Sequence, residues 1–467
     1  MRFSSVIRLA QQYFLLGMIG LVIGISLFLF GYFVVYRRLL KGTKKLKMSK
    51  VALLSILFIY IVIVLGATIG DRVSTDSKSL SMHLFSSYKD AWNNFSPGAW
   101  RNIILNILMF VPLGILLPLI FKNCRKYWIT YLLGLFFTLI IEVIQLISGR
   151  GIFEVDDIFN NTLGCIIGYG IVMIFISCFV DKNKYENNKK LILTTLQLPL
   201  CLTVIAFSII FISYSKQELG NLSCNYIYKQ NMSDVNVTTN IKLKNKPDKS
   251  SVYKAAVGSA EDTLEVANEI LSSVDSKIDE SKNDVYDNTI VYKSKDENYS
   301  VWVDYTGLKA DYTNFHELSS SGKENLTYNE VKSLLADFNI ELPEKADFTD
   351  DNDGNYSISV DMIGDDEYIN GMLVCSISET ENVKSFTNNI VSYKKYKDFD
   401  IISEKEAYEK LLDGKFITSS DMADAEINIK DIDLVYEIDS KGFYQPVYKF
   451  TTESRNLENY IFIPALR

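Results

Sequence analysis

Residues 102–121 read NIILNILMFVPLGILLPLIF, residues 128–148 read WITYLLGLFFTLIIEVIQLIS, and residues 149–169 read GRGIFEVDDIFNNTLGCIIGY. Two long apolar runs and the start of a third are broken at only a few places, and the breaks are polar. They are Asn102 and Asn106 in the first run, Glu142 and Gln145 in the second, then Arg150, Asp156, Asp157, Asn161 and Thr162 leading into the third. A helix of roughly 20 apolar residues crosses a bilayer core of about 30 Å. A charge at the centre of such a helix costs about 2.5–3.5 kcal/mol even on insertion scales. Polar groups kept in three consecutive spans are therefore expected to be used.

Outward from this stretch, six runs are long and apolar enough to span: 15–36, 51–70, 102–121, 128–148, 158–180 and 191–213. The first is longer than the apolar region of a signal peptide. It is followed, not preceded, by the basic block Arg37, Arg38, Lys41, Lys44, Lys45, Lys47 and Lys50, so it reads as a span. That block belongs in the cytoplasm, because short loops rich in Lys and Arg stay inside. Counting from it puts Lys122, Arg125 and Lys126 inside, the loops 71–101 and 149–157 outside, and everything after residue 214 outside. Demoting the first run to an interfacial helix leaves this topology unchanged.

Charge divides the chain at the same place. Residues 1–214 carry 21 Lys and Arg against 9 Asp and Glu, net +12; the remainder carries 27 against 47, net −20, together the chain's −8. The expected organisation is a first span and basic loop (1–50), a membrane domain (51–180), a last span (181–214), a linker or domain start (215–255) and an exported α+β domain (256–467) in a multi-pass plasma-membrane protein.

Helical spacing places the polar groups on common faces. Asn102 and Asn106 share one, Thr138, Glu142 and Gln145 another, and Asp157, Asn161, Gly164 and Gly168 a third. At 1.5 Å per residue, Asn106, Glu142 and Asn161 lie roughly 5–10 Å below the outer ends of their spans, a common level in the outer leaflet. This describes one outward-opening polar site. The bland alternative is packing, with amides cross-linking helices at about 0.6–2 kcal/mol each and Glu142 paired with Arg150. Against it, the acids outnumber the one base, so a carboxylate is left to be solvated, protonated or bound to a cation. Gly164 and Gly168 read as a close-packing pair, and Pro112 and Pro118 are expected to kink their helix.

Cys124, Cys165, Cys178 and Cys201 read as small apolar fillers. Cys224 and Cys375 lie in the exported region, where the compartment permits a disulfide between them. The two histidines, His83 and His316, are far apart. No metal-ligand spacing occurs, and neither a metal, a cofactor nor a nucleic-acid partner is expected.

The order N-x3-N-x3-F-x-P-x-G, E-x2-Q, G-R and D-D-x3-N-T-x-G resembles the VanZ-like family of bacterial membrane proteins over about residues 50–180. Its motif positions fall on Asn102, Asn106, Phe110, Pro112, Gly114, Glu142, Gln145, Arg150, Asp156, Asp157, Asn161, Thr162 and Gly164. The family's namesake lowers susceptibility to teicoplanin-type glycopeptides, so the resemblance implies a role in glycopeptide resistance in the cell envelope.

In the C-terminal part, YSVWVDY (299–305) and YIFIPAL (460–466) alternate as strands do. Ser259-x-x-Asp262, Thr327-x-x-Glu330 and Ser403-x-x-Glu406 are capping-box starts, each opening an amphipathic run followed by strands. This predicts two or three α+β modules, each a helix on an antiparallel sheet. The last of them is similar to PepSY-like and Yyc-type regulatory ectodomains of Gram-positive bacteria, which implies binding and regulation. DFTDDNDGNYS (347–357) lacks the full calcium-loop order and reads as a hairpin turn at Asp353-Gly354.

Three functions follow from these readings. The first is non-enzymatic binding of a lipid-linked cell-wall component or glycopeptide by Asn102, Asn106, Glu142, Gln145, Arg150, Asp156, Asp157, Asn161 and Thr162, with membrane lipids around the site. The second is an integral-membrane hydrolase or transferase with Glu142 or Asp157 as base beside Arg150. The third is an envelope sensor or assembly factor that meets a protein partner through its exported domain.

Overall fold

The computed structural model describes residues 18, 22, 32, 38, 47–70, 80–180, 189–224, 230–286, 288–364, 366–416, 426–454 and 457–467. The chain divides into two compact units, Met1–Gln217 and Glu218–Arg467. The expected first span lies outside the described residues apart from three isolated positions.

Among the described residues of the first unit, five helices are long and apolar enough to cross a membrane. They are α1 (Met48–Leu65, continued by a π-helical turn Gly66–Gly70), α3 (Pro97–Ile120), α4 (Tyr127–Ser148), α5 (Val155–Phe175, continued by Ile176–Val180) and α6 (Lys189–Lys216). A short helix α2 (Ser86–Asn94) precedes α3. Pro97 opens α3, where its missing N–H costs nothing. Gly149 closes α4 with φ 64°, a left-handed value that favours glycine. The helix α3 runs continuously through Pro112 and Pro118.

The fifth expected span starts earlier than its apolar run, because Asp156 and Asp157 form the first turn of α5. Acids are favoured there by the exposed N–H groups and the helix dipole. Helices α3 and α5 pack backbone to backbone. A Cβ on Gly164 or Gly168 would run into the carbonyls of Ile107 and Val111, and one on Gly114 into that of Cys165. Small residues allow this approach between helices that gain nothing from hydrophobic exclusion in lipid.

The second unit is β-rich. Among its described residues one sheet of fourteen strands runs β3 (Asn236–Thr239), β14 (Glu426–Ile438), β15 (Phe443–Ser454), β4 (Asp248–Ala255), β13 (Val391–Ile401), β11 (Glu367–Ile377), β12 (Val383–Asn388), β8 (Ala310–Asn314), β7 (Tyr299–Asp304), β6 (Thr289–Lys293) and β5 (Asp284–Val285). In addition β16 (Leu457–Pro464) pairs with β15, β10 (Asn355–Ile363) with β11, and β9 (Asp347–Asp350) with β10. The strands β3 and β4 come from the expected linker region. In the first unit β1 (Leu80–Ser81) pairs in parallel with β2 (Phe153–Glu154).

All three capping boxes form. Ser259, Thr327 and Ser403 cap α7 (Ala260–Ser272), α8 (Tyr328–Ala336) and α9 (Glu404–Leu412), with Asp262, Glu330 and Glu406 returning to the cap backbone. The modular expectation needs correction in one respect. Ala267 and Leu271 of α7 and Val331 and Leu335 of α8 share a single core with Tyr312, Phe386 and Tyr356, whereas Ala407 and Leu411 of α9 pack in a second core with Phe450 and Ile463. Three helices therefore give two cores on one sheet. The turn expected at Asp353-Gly354 joins β9 to β10, with Asn352, Asp353 and Gly354 all at positive φ (69°, 52° and 74°). Cys224 and Cys375 are both free thiols.

Candidate functional site

The polar residues of the first unit are drawn together in pairs, each joining two elements. Asn106 Nδ2 on α3 donates to Asp157 Oδ1 on α5 at 2.5 Å. Asn161 Nδ2 on α5 donates to Thr138 Oγ1 on α4 at 2.9 Å. Gln145 Nε2 on α4 donates to the Thr68 carbonyl at the end of α1 at 2.9 Å. Glu142 Oε2 accepts the Glu154 backbone N–H at 3.1 Å, which ties the α4–α5 connection to the helix face. Glu142, Gln145, Asp156, Asn160 and Asn161 are all at most 2% exposed.

Asp156 has a task the sequence did not reveal. Its carboxylate accepts the backbone N–H groups of Phe85 (2.5 Å) and Ser87 (2.8 Å) and the Ser87 hydroxyl. Those N–H groups begin α2, so Asp156 caps a helix some seventy residues earlier in the chain. Tyr88 on α2 then donates to Asn160 Oδ1 at 2.5 Å. Burial, and secondly the charge of Asp156, push the Tyr88 phenol up to about 12, so it remains a neutral donor at physiological pH. Phe85 and Tyr88 meet Phe159 and Trp100 edge-on. Phe95 stacks on Tyr214 of α6. The segment 80–95 is thereby folded against the N-terminal ends of α3 and α5 and the C-terminal end of α6.

Sequence reasoning therefore missed Thr68, Ser87, Tyr88 and Asn160. Thr68 was readable as the one hydroxyl near the end of an apolar run, and Tyr88 and Trp92 as an i, i+4 aromatic pair in the loop 71–101. Asn160 differs from its neighbour Asn161 only in the side of α5 it faces, which the sequence does not disclose.

Three expected site residues stand apart. Asn102 and Arg150 are exposed, and among the described residues their side chains make no hydrogen bond or ion pair. The Glu142–Arg150 pair weighed above is absent, because Arg150 follows the left-handed Gly149 and turns to the surface. Thr162 is half-buried, with no hydrogen-bond partner for its hydroxyl among the described residues. Among the described residues, further buried polar atoms also lack a protein partner: Gln145 Oε1, Asn160 Nδ2, Asn161 Oδ1 and Trp100 Nε1. An unmet buried donor or acceptor costs about 1–3 kcal/mol. The set contains both acceptors and donors. Among the described residues no cluster of His, Cys, Asp and Glu fit to hold a metal occurs.

Residues 50–176 match the model of the VanZ/LLP1 family. Protein VanZ of Enterococcus faecium is 33% identical over 100 residues, which are 20% of this chain and 53% of that protein. The membrane unit is thus VanZ-like. The chain spans about half the length of this curated relative. Among solved structures it is similar to the Bacillus megaterium YpeB C-terminal domain, with 14% identity, 45% of this chain and 93% of that one covered, and a TM-score of 0.22.

Proposed function

We propose that the membrane unit binds the polar head of an amphiphilic envelope molecule at the outer leaflet, a lipid-linked cell-wall component or a glycopeptide of the teicoplanin type, without chemistry on it. The observation that carries this reading is the set of buried amide atoms without a protein partner among the described residues: the acceptors Gln145 Oε1 and Asn161 Oδ1 and, on another side of α5, the donor Asn160 Nδ2. Asn102, Asn106 and Thr162 extend the hydrogen-bonding surface, and the exposed Arg150 meets phosphate or carboxylate, for which its planar donors are suited. The candidate bases Glu142 and Asp157 accept hydrogen bonds from Glu154 N and Asn106 Nδ2, and Asp156 caps α2. Carboxylates committed in this way support binding over turnover.

The basic loops support an orientation with the β-rich unit outside the plasma membrane. There the unit, read as PepSY-like modules on the strength of its three boxed helices and the strands that follow them, regulates access to the site or docks an envelope protein. The resemblance of the membrane unit to VanZ supports a role in glycopeptide tolerance.

The test is susceptibility to teicoplanin and vancomycin in a Gram-positive host expressing the chain, its Glu142→Gln and Arg150→Ala variants, and a form lacking residues 218–467. Raised teicoplanin tolerance that the point variants lose is the expected result. Unchanged tolerance with well-expressed wild type contradicts the resistance role.

A further inference from the structure

The β-rich unit carries an open cleft of about 1040 Å³ whose floor is a face of the sheet. Asn355, Ser376 and Ser385 line it, and they are direct cross-strand partners on β10, β11 and β12, with Thr313 of β8 next in the row. Partners in register point to the same side. Their chain neighbours Tyr356, Cys375, Phe386 and Tyr312 point to the other side, into the helix-covered core. Among the described residues the hydroxyls of Ser376 and Ser385 make no hydrogen bond to protein. The walls are the segment Ser320–Glu324 and the turn at Asp353.

A second observation lies in the same cleft. Lys384 is only 8% exposed, donates one hydrogen bond to the Ser320 carbonyl at 2.7 Å, and forms no ion pair among the described residues. A buried ammonium has three donors and favours an anionic partner. The rim, in contrast, carries the exposed acids Glu324, Asp353 and Glu379, which oppose a densely charged polyanion. Peptides are usually captured along an unpaired strand edge. Here β11 and β12 are paired on both sides, so the floor offers side chains and no open main-chain ladder.

We infer that this cleft binds a carbohydrate chain whose sugars bear hydroxyl and amide groups and only sparse carboxylates, the carboxylate resting on Lys384 and the sugar on the Asn355–Ser376–Ser385 row. The assignment does not depend on the function given to the membrane unit.

The experiment is calorimetric titration of the full chain in nanodiscs with a tetrasaccharide of alternating N-acetylglucosamine and N-acetylmuramic acid. Chitotetraose, a glycerol-phosphate oligomer and an acidic hexapeptide serve as the other arms. Saturable binding of the mixed tetrasaccharide in preference to the rest is expected. Ser376→Val/Ser385→Val should weaken it about tenfold through the loss of two hydrogen bonds, and Lys384→Met should remove the preference over chitotetraose. Thermal unfolding of each variant confirms that it is folded. Absence of saturable sugar binding, equal binding by the folded double variant, or binding of the peptide or the glycerol-phosphate oligomer in place of the sugar each overturns the inference.

Discussion

The two units solve opposite solvent problems with the same side chains. In the membrane unit the polar residues point inward and join helices: Asn106 to Asp157, Asn161 to Thr138, Gln145 to Thr68, and Asp156 to the start of α2. In the β-rich unit they lie at helix ends and on the outer sheet face, while apolar side chains such as Tyr312, Phe386 and Leu335 fill the core. Where the surroundings are apolar, burial of a Leu gains nothing and interior hydrogen bonds define the packing. Where the surroundings are water, apolar burial of about 25 cal/mol per Å² drives the core and polar groups set its boundaries. An inward polar residue left without a partner therefore signals a ligand in the first unit more strongly than in the second.

Substitutions sharpen this contrast, the largest effect falling where backbones touch. Gly164→Val drives a side chain into the Ile107 carbonyl. Overpacking of this kind costs about 1–3 kcal/mol or more, and fluorescence-detected size exclusion in detergent should show loss of the monodisperse protein. Next comes Asp157→Leu, which removes the acceptor of the half-buried Asn106 amide. It should cost about 1.5–3 kcal/mol, the range for a hydrogen bond to a charged group, read as a lower unfolding temperature in detergent. Retained stability would mean that the inward polar pairs do not define the packing.

Asp156→Ala removes the cap of α2 and should cost about 1–2 kcal/mol. Hydrogen exchange should rise in residues 85–90 and nowhere in the β-rich unit. Ser403→Ala is the matching change there, at a buried cap residue, and should cost about 1 kcal/mol.

The smallest effect concerns pH. The Ser403 backbone N–H, then Arg467 and the Ser403 hydroxyl, hold the Glu406 carboxyl at about 2, below its ordinary 4.5. A depressed carboxylate stabilises the fold fully above its unfolded value and loses that contribution as pH falls toward the folded one. The α9 core should therefore loosen between about pH 4.5 and pH 2. Arg467→Gln should shift that loss to higher pH in an acid titration followed by circular dichroism.

Much of this architecture was legible in the sequence, for reasons that differ between the units. The spans 51–70, 102–121, 128–148, 158–180 and 191–213 were found because lipid demands an unbroken apolar helix, and the structure moves their ends by only a few residues. The three helix starts at Ser259, Thr327 and Ser403 and the turn at Asp353-Gly354 were found because caps and turns are local chemistry. The helix α2 was not, since its nine residues are fixed by partners far along the chain, Asp156, Asn160 and Tyr214. Strand order was not legible either, because a period of two tells which face is buried and not which strand lies alongside. Within the site, the common face of Thr138, Glu142 and Gln145 was visible from spacing. The outward turn of Arg150 depended on the left-handed Gly149.

The most direct measurement of the central claim is binding of teicoplanin and of a lipid-linked cell-wall precursor to the full chain in nanodiscs, compared with Asn161→Leu and Gln145→Leu variants shown to be folded. Saturable binding of one of the two ligands that both variants lose is the predicted result. No saturable binding, or binding that survives in both variants, would contradict the account and leave the buried amides as helix cross-links alone.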